Sequence, residues 1–415
     1  MQFGIFYEHQ LPKPWTDDDE FCLLRDALDQ VELADRLGFD YAWEVEHHFL
    51  DEYSHSSAPE VFLAAAAART QRIRLGHGIR QVIPKYNHPA RTAEGLATLD
   101  LISDGRVDFG IGEGATRLEL HGFDIPAKQK RAMSLEAAEQ IANMMVLDPY
   151  PGYTSDTFSM PCRNVLPKPR QKPHPPMWMA CTNRDTIKVA ARNGIGALAF
   201  SFIDPDEAKS WVELYYDIIR SDECVPLGHS VNANIALVTG FSLHDDRAEA
   251  IRRGQEGFEF FGYALNALVA HDQVPGRTDL WGEFQARRSP DSVERRIAAA
   301  HEQGDAFASC IGTPLDAARY LRQMRDVGVD QVIFIQQAGR NAHADICSSL
   351  ELFASDVLPE FAADEGERQQ RKTAELAPFV EAALARKTWM QPLADDDIPV
   401  VRASVARAQT AGTLA

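Results

Sequence analysis

Behind the apolar run that ends near Trp43 the chain reads Glu44-Val45-Glu46-His47-His48-Phe49. Two carboxylates and two imidazoles this close together suit a metal ion, a proton-transfer pair, or the local structure of a loop. An imidazole with its ordinary pKa near 6.5 takes up and returns a proton at cellular pH. On a strand, neighbouring side chains point to opposite faces, so His47 and His48 cannot both reach one ion easily. Alternation groups Trp43, Val45, His47 and Phe49 and leaves Glu46 and His48 facing elsewhere. A barrel metal hydrolase would carry His-x-His after its first strand, where Tyr7-Glu8-His9-Gln10 offers a single histidine. No metal site is expected.

Other polar residues collect at the ends of apolar, β-prone runs: Glu8 and His9; His77, Arg80 and Gln81; Glu113; Thr182, Asn183 and Arg184; Ser201; Thr239; Gln336 and Gln337. In parallel barrels the carboxyl ends of the strands carry the chemistry, although strand ends also meet water in any fold. The run "FGIGEGA" has the Gly-x-Gly-x-x-Ala form of a dinucleotide fingerprint. That fingerprint needs a further strand with an acidic end about 20 residues on, and the chain instead has the helical "KRAMSLEAAEQIANMM". Gly110, Gly112 and Gly114 then read as places where backbone approaches a ligand closely.

The elements that position these residues follow a rhythm. Strand-like runs begin near Gln2, Phe39, Ile73 and Arg106, at intervals of 37, 34 and 33 residues. Later runs are "PMWMAC", "ALAFSF", "NANIALVTGF" and "DQVIFIQQ". Helical patterns lie between, and Gly38, Gly105, Gly194 and Gly328 separate helix from strand as left-handed caps would. In the first helix Phe21, Leu24, Leu28 and Val31 recur at helical spacing, with Thr16 as its cap. Eight strands alternating with helices predict an α/β fold with an eight-stranded parallel (β/α)8 TIM barrel with insertions as the natural closure, although an open doubly wound sheet also alternates. Residues 1–361 form that domain. Its long insertion, 242–329, is either an active-site lid or a helical elaboration far from the site. Residues 362–415 read as a polar C-terminal tail, helical or disordered.

The chain has 415 residues, 42 basic and 61 acidic side chains and a formal charge of −19. This opposes binding to nucleic-acid phosphates. Six scattered cysteines without a CxxC pair read as reduced thiols in a cytoplasm. No signal peptide is visible, and no apolar run approaches the ~18 residues that span a bilayer.

In motif order, "EHHF", then "PKYNHPARTAEGLATLDLISDGRVDFGIGEG", then a late "IGTP" make residues 1–360 resemble the bacterial luciferase-like flavin monooxygenases. The resemblance implies an eight-stranded α/β barrel that uses reduced FMN and O2. A flavin C4a-peroxide would oxidise a small organic substrate, with the flavin supplied by a separate flavin reductase. Some relatives instead use a deazaflavin and transfer hydride without oxygen, and the family also holds non-catalytic partner subunits. The chain would be cytoplasmic and a homo-oligomer, dimer or tetramer. By the same resemblance His47 is the catalytic acid/base, Arg131 in "KRA" binds the flavin phosphate, and the loop "ACTNRDT" contributes Thr182, Asn183 and Arg184. Gly112 leaves room at the flavin, and Glu46 supports the site beside it. One position departs: the family carries an arginine after the fourth strand, where this chain has Glu113. A glutamate repels phosphate unless Arg131 and Arg184 compensate, it faces away, or the cofactor sits differently. Substrate identity would rest on the insertion, where Phe258, Phe261, Leu265 and Leu268 form a stripe that belongs either to a pocket or to the core.

Overall fold

A computed structural model describes residues 1–200, 202–289, 291–303 and 309–402. The strands are β1 (Gln2–Tyr7), β2 (Tyr41–Glu44), β3 (Arg74–Gln81), β4 (Val107–Gly112), β5 (Tyr150–Thr154), β6 (Ser159–Arg163), β7 (Met177–Cys181), β8 (Gly196–Ala199), β9 (Ile235–Thr239), β10 (Phe241–Leu243), β11 (Cys310–Gly312) and β12 (Gln331–Gln336). Eight of them close a barrel in the order β1-β12-β9-β8-β7-β4-β3-β2. Every pair in it is parallel. The (β/α)8 barrel expected from the spacing is the fold.

Helices α1 (Asp19–Leu37), α2 (Pro59–Arg69), α3 (Pro89–Ile102), α4 (Arg117–Gly122), α5 (Lys130–Val146), α6 (Arg184–Arg192) and α7 (Pro205–Ile219) surround the first strands. After them come α8 (Arg247–Ala270), α9 (Leu280–Arg287), α10 (Ser292–Gln303), α11 (Pro314–Asp326), α12 (His343–Asp356), α13 (Leu358–Ala362) and α14 (Glu365–Arg386). Gly38 closes α1 at φ 96°, its N–H bonded to Ala34, and Gly105, Gly194 and Gly328 take the same left-handed region ahead of β4, β8 and β12. The barrel is filled by Phe6, Trp43, Trp178, Leu198, Val238 and Ile333. Trp43 stands edge-on to Trp178, ring centroids 5.4 Å apart. Burying each such side chain contributes about 2 kcal/mol.

Several elements differ from the sequence reading. Phe21 and Leu24 are 66% and 39% exposed; α1 buries Leu23, Ala27, Val31 and Ala34 instead. Thr16 does not cap it, because both its N–H and its hydroxyl bond to the Asp19 carboxylate. Strand β2 stops at Glu44, so Glu46, His47 and His48 lie in the following loop rather than on the strand. Between α5 and β7 the chain forms an antiparallel hairpin, β5–β6. Within 242–329, α11 is an ordinary barrel helix leading into β12, and the inserted part is bracketed by the parallel pair β10–β11.

Helices α8 and α9 pack over the barrel mouth. Phe260, Phe261, Leu268, Leu280 and Trp281 are continuous with the barrel's interior cluster, and Glu52 accepts the N–H groups of Leu280 and Trp281 at the start of α9. At the opposite end α14 is docked rather than loose. Leu376 and Ala383 are buried, and Asp330, ahead of β12, takes Lys372 at 2.7 Å and the Ile235 N–H at 2.9 Å. Residues 403–415 of the expected tail lie outside the described residues. Among the described residues no helix is long and apolar enough to cross a membrane.

Candidate active site

At the carboxyl ends of β1 to β4 and β7 a cavity of about 440 Å3 opens under α8. His47 lines it, and the loop places the ring through backbone: its N–H donates to Ser56 at 2.8 Å, while Glu46 N–H donates to Ile79 at 2.8 Å. The ring sits between two acids. Nδ1 is 2.8 Å from Glu119 Oε1, and Nε2 is 3.7 Å from Glu8 Oε2. Glu119 belongs to the capping box of α4: the Thr116 hydroxyl donates to its Oε2 at 2.9 Å, and its own N–H donates to Thr116 at 3.2 Å. The His48 N–H also donates to Glu119, at 3.2 Å. Tyr53 donates its hydroxyl to Glu8 Oε1 at 3.0 Å.

These contacts set the charges. Burial alone would lower the His47 pKa, but the Glu119 and Glu8 carboxylates and the Glu119 hydrogen bond outweigh it and lift the pKa to about 9. At neutral pH the ring is therefore an imidazolium, not the half-titrated group its ordinary pKa suggests. Glu119 is also buried, yet the His47 charge and the donors from His47, Thr116 and His48 hold it below its usual value. Glu8 is pushed up to about 7, first by burial, with His47 and Tyr53 pulling the other way. Carboxyl and imidazolium that exchange places within one cluster are what a proton-transfer site requires.

The other residues of the quoted stretch support this loop. Glu46 is buried and does not line the cavity; it accepts from the Gln81 N–H at 3.0 Å and the Asn87 amide at 2.7 Å, and it pairs with His48 at 3.1 Å. His48 stacks on Tyr86. Glu44 points away from the cavity to His9, at 2.8 Å, and to the Ser56 hydroxyl. His77 is buried with Nδ1 unbonded, and burial, with the charge on Arg80, drops its pKa to about 3. Gln336 and Gln337 bond within the fold, and Ser201 lies outside the described residues. Among the described residues no three His, Cys, Asp or Glu could hold a metal ion.

The far end of the cavity is cationic. Lys130 and Arg131 stand in the first turn of α5 and line it together with Thr182, Asn183 and Gly112. Arg131 is already engaged: its Nε and Nη2 each lie 3.0 Å from a Glu113 oxygen, and Lys130 Nζ is 3.5 Å from the same carboxylate. Glu113 thus faces the cavity and is neutralised by Arg131 and Lys130. Arg184 is not part of this end; it forms a two-bond pair with Glu207 at 3.0 and 2.8 Å on the surface. Asn183 caps α6, accepting from Asp185 and Thr186 N–H groups. Thr186 Oγ1 in turn accepts from the Thr182 and Asn183 N–H groups.

Two glycines make room for the neighbouring strand, and Gly112 lines the cavity as well. A Cβ on Gly110 would come within 2.1 Å of the His77 carbonyl, and one on Gly112 within 1.9 Å of Ile79. Gly110 lies where β3 and β4 shift register, and Gly112 pairs with Gln81 just beyond that point. The cavity's side walls are apolar, built by Val45, Ile79, Ile111, Met179 and Phe200, with Leu265 from α8 above. Of the α8 stripe, Phe261 and Leu268 are core, and Phe258 stands edge-on to Phe202 at 4.7 Å. Sequence reasoning gave Glu119, Tyr53, Lys130 and Ser134 no role at the site. The Thr-x-x-Glu spacing of Thr116 and Glu119 is a capping-box signal that would have flagged one of them.

Residues 1–331 match the luciferase-like monooxygenase family. Limonene 1,2-monooxygenase from Rhodococcus erythropolis is 29% identical over 374 residues, 89% of this chain and 88% of that protein. The crystal structure of monooxygenase RslO1 from Streptomyces bottropensis has a TM-score of 0.68 at 26% identity, covering 87% of this chain and 100% of that one. Two more distant structures share the fold. One is the oxygenating constituent of 3,6-diketocamphane monooxygenase from Pseudomonas putida, in complex with FMN (TM-score 0.63, 18% identity, 86% and 98% covered). The other is the coenzyme F420 dependent tetrahydromethanopterin reductase from Methanopyrus kandleri (TM-score 0.59, 22% identity, 87% and 99% covered). With its barrel, its motif order and this match over most of its length, the chain belongs to the luciferase-like monooxygenase family of enzymes.

Proposed function

We propose that this enzyme is a two-component monooxygenase that takes reduced FMN from a separate flavin reductase and uses O2 to oxidise a small, largely apolar organic substrate. One observation carries the reading: a single cavity joins a proton-handling end, His47 between Glu119 and Glu8, to a cationic end, Lys130 and Arg131. Its volume falls within the range of about 300–1,000 Å3 usual for cofactor sites. A phosphate suits the cationic end. The Arg131 fork matches its oxygens two at a time, and the amino ends of α5 and α6 add partial positive charge. Ile79, Ile111 and Met179 supply apolar walls for a ring system. Gln81 lines the same cavity with its Oε1 buried and unbonded, ready to accept from a ring N–H.

When bound, reduced flavin would supply the electron pair that activates oxygen. The chain's own residues do the rest. Lys130 and Arg131 neutralise the phosphate, while α8 and Phe200 keep water away. His47, held protonated by Glu119, donates from Nε2 to developing negative charge and recovers the proton afterwards. We place the enzyme in the cytoplasm, where its six unpaired cysteines stay reduced. We further propose a homo-oligomer, dimer or tetramer; Val61 on α2 and Leu101 and Ile102 on α3 supply exposed apolar surface for it.

The fold shared with a coenzyme F420 dependent reductase supports a second reading, hydride transfer with a deazaflavin. The purified enzyme, supplied with reductase, FMN and a panel of aldehydes, ketones and alkanes, should couple O2 uptake to an oxygenated product. Substrate-dependent deazaflavin reduction without O2, and no oxygenated product with FMN, would replace the first reading with the second.

A further inference from the structure

Among the acids around the cavity, Glu8 and Glu44 each keep one buried carboxylate oxygen without a hydrogen-bond partner, and of the two only Glu8 lines the cavity. Glu44 is bonded to His9 and Ser56, Glu46 to Gln81 and Asn87, Glu119 to His47 and Thr116, and Glu113 to Arg131. Glu8 ends β1 and lines the cavity, yet only its Oε1 is bonded, to Tyr53 at 3.0 Å. Oε2 is shut off from solvent, has no hydrogen-bond partner, and lies 3.7 Å from His47 Nε2. A buried carboxylate oxygen left without a donor is costly, about 1–3 kcal/mol or more. A proton on Oε2 lowers that cost, since a neutral carboxyl is cheaper to bury than a carboxylate, and turns the oxygen into a donor at the cavity wall.

We propose that Glu8 is a second catalytic proton carrier of this cavity: it donates from Oε2 to the reacting oxygen and is reprotonated by His47 Nε2, with Glu119 fixing the ring from behind. The proposal rests on the flavin reading above. In the forward step the Glu8 O–H bond breaks, its proton moves to the developing oxyanion, and a carboxylate remains. The His47 N–H then transfers its proton to that carboxylate, and the neutral imidazole is recharged from water. No electrons move within the pair. The charged and titratable groups around Glu8 are His47 and Tyr53 from the loop after β2, Glu44 from β2, and Glu119 from α4; Glu8 in turn acts on the adjacent His9. His47 and Tyr53 favour the ionised form of Glu8, Glu44 and Glu119 oppose it, and burial decides for the neutral acid up to about pH 7.

The test uses Glu8→Gln, which keeps shape and the Tyr53 contact, with Glu8→Asp as the conservative variant. In the cofactor-free protein, carboxyl and imidazole NMR titrations should show Glu8 ionising near pH 7. His47 should titrate at lower pH by roughly one unit in Glu8→Gln, because an ionised neighbour is gone. FMN binding should stay within about threefold. Product formation should fall on the order of 100-fold or more and lose its alkaline limb near pH 7, and Glu8→Asp should recover part of both. Unchanged His47 titration, or a Glu8→Gln rate and pH profile matching the parent's with FMN bound, overturns the proposal. If the parent itself binds no FMN, the flavin reading fails, and the two NMR titrations alone decide whether Glu8 and His47 share a proton.

Discussion

The Arg131–Glu113 fork makes a quantitative prediction about cofactor binding. If the FMN phosphate is bound by Arg131, it must compete with Glu113, which already holds both guanidinium donors at 3.0 Å. Two like unit charges about 4 Å apart repel by roughly 4 kcal/mol at an effective dielectric near 20, and by about 1 kcal/mol in bulk water. The Glu113 and Arg131 side chains are 19% and 40% exposed, so the site falls between those limits, near ~2 kcal/mol. Giving up a part-exposed ion pair adds up to about 1 kcal/mol. Glu113→Gln keeps the side-chain shape and removes both terms. FMN should then bind roughly 30- to 140-fold more tightly, at roughly 1.4 kcal/mol per tenfold. Fluorescence quenching titrations with FMN and riboflavin measure this, since riboflavin lacks the phosphate and should change less than twofold. The gain should shrink as salt is raised. Arg131→Ala is the opposite control, weakening FMN and leaving riboflavin alone. Equal FMN affinity in parent and Glu113→Gln, or parallel changes for FMN and riboflavin, would refute a phosphate beside Glu113.

Other expectations follow from single groups. His47→Ala should fold, still bind flavin and lose product formation by about 100-fold or more, with oxygen uptake diverted to hydrogen peroxide; a product assay alongside a peroxide assay checks both. His77 has a folded pKa of about 3 against an ordinary imidazole value of 6.5. A depressed imidazole pKa means the unfolded chain binds the extra proton, so stability is present above pH 6.5 and is lost as pH falls from 6.5 toward 3. That loss is on the order of 5 kcal/mol, and urea midpoints against pH should show a shallower acid slope in His77→Gln. Thr116→Val removes the α4 cap and a donor to Glu119. It should cost about 1 kcal/mol of stability by urea denaturation and loosen the carboxylate that holds His47 protonated, lowering the His47 pKa by NMR.

Much of the barrel was legible because its signals are local. A left-handed glycine must close a helix before an apolar run can start, and Gly38, Gly105, Gly194 and Gly328 do so in the chain's own rhythm. Elements whose signal is tertiary were not legible. The buried face of α1 rests on Leu23, Ala27 and Ala34, and small alanines carry less weight in a periodicity count than Phe21, which is solvent-facing. His47, picked out by the family motif, does line the cavity, but the strand alternation used to orient it stops three residues before it, since β2 ends at Glu44. Its charge state was invisible, because the acids that set it come from β1 and from α4, 39 and 72 residues away. Arg184 and Arg131 look alike in sequence; only the fold shows that Glu207 takes one to the surface and that α5 turns the other into the cavity.

The arrangement also separates what can vary from what cannot. The proton end is built by β1, the loop after β2, and α4. The cationic end is built by β4, α5 and the loop after β7, and the apolar cover comes from the insertion between β9 and α11. Each acid at the proton end is tied by hydrogen bonds to a neighbouring element, so a substitution there propagates through several partners. Leu265 meets the cavity only by van der Waals contact, from α8, which is held by the core around Phe260 and Trp281. Changing its size reshapes the space above Met179 and Phe200 and leaves the His47 hydrogen bonds intact. Under the proposed function, Leu265→Phe should therefore shift substrate preference in a product assay and leave the His47 titration unchanged.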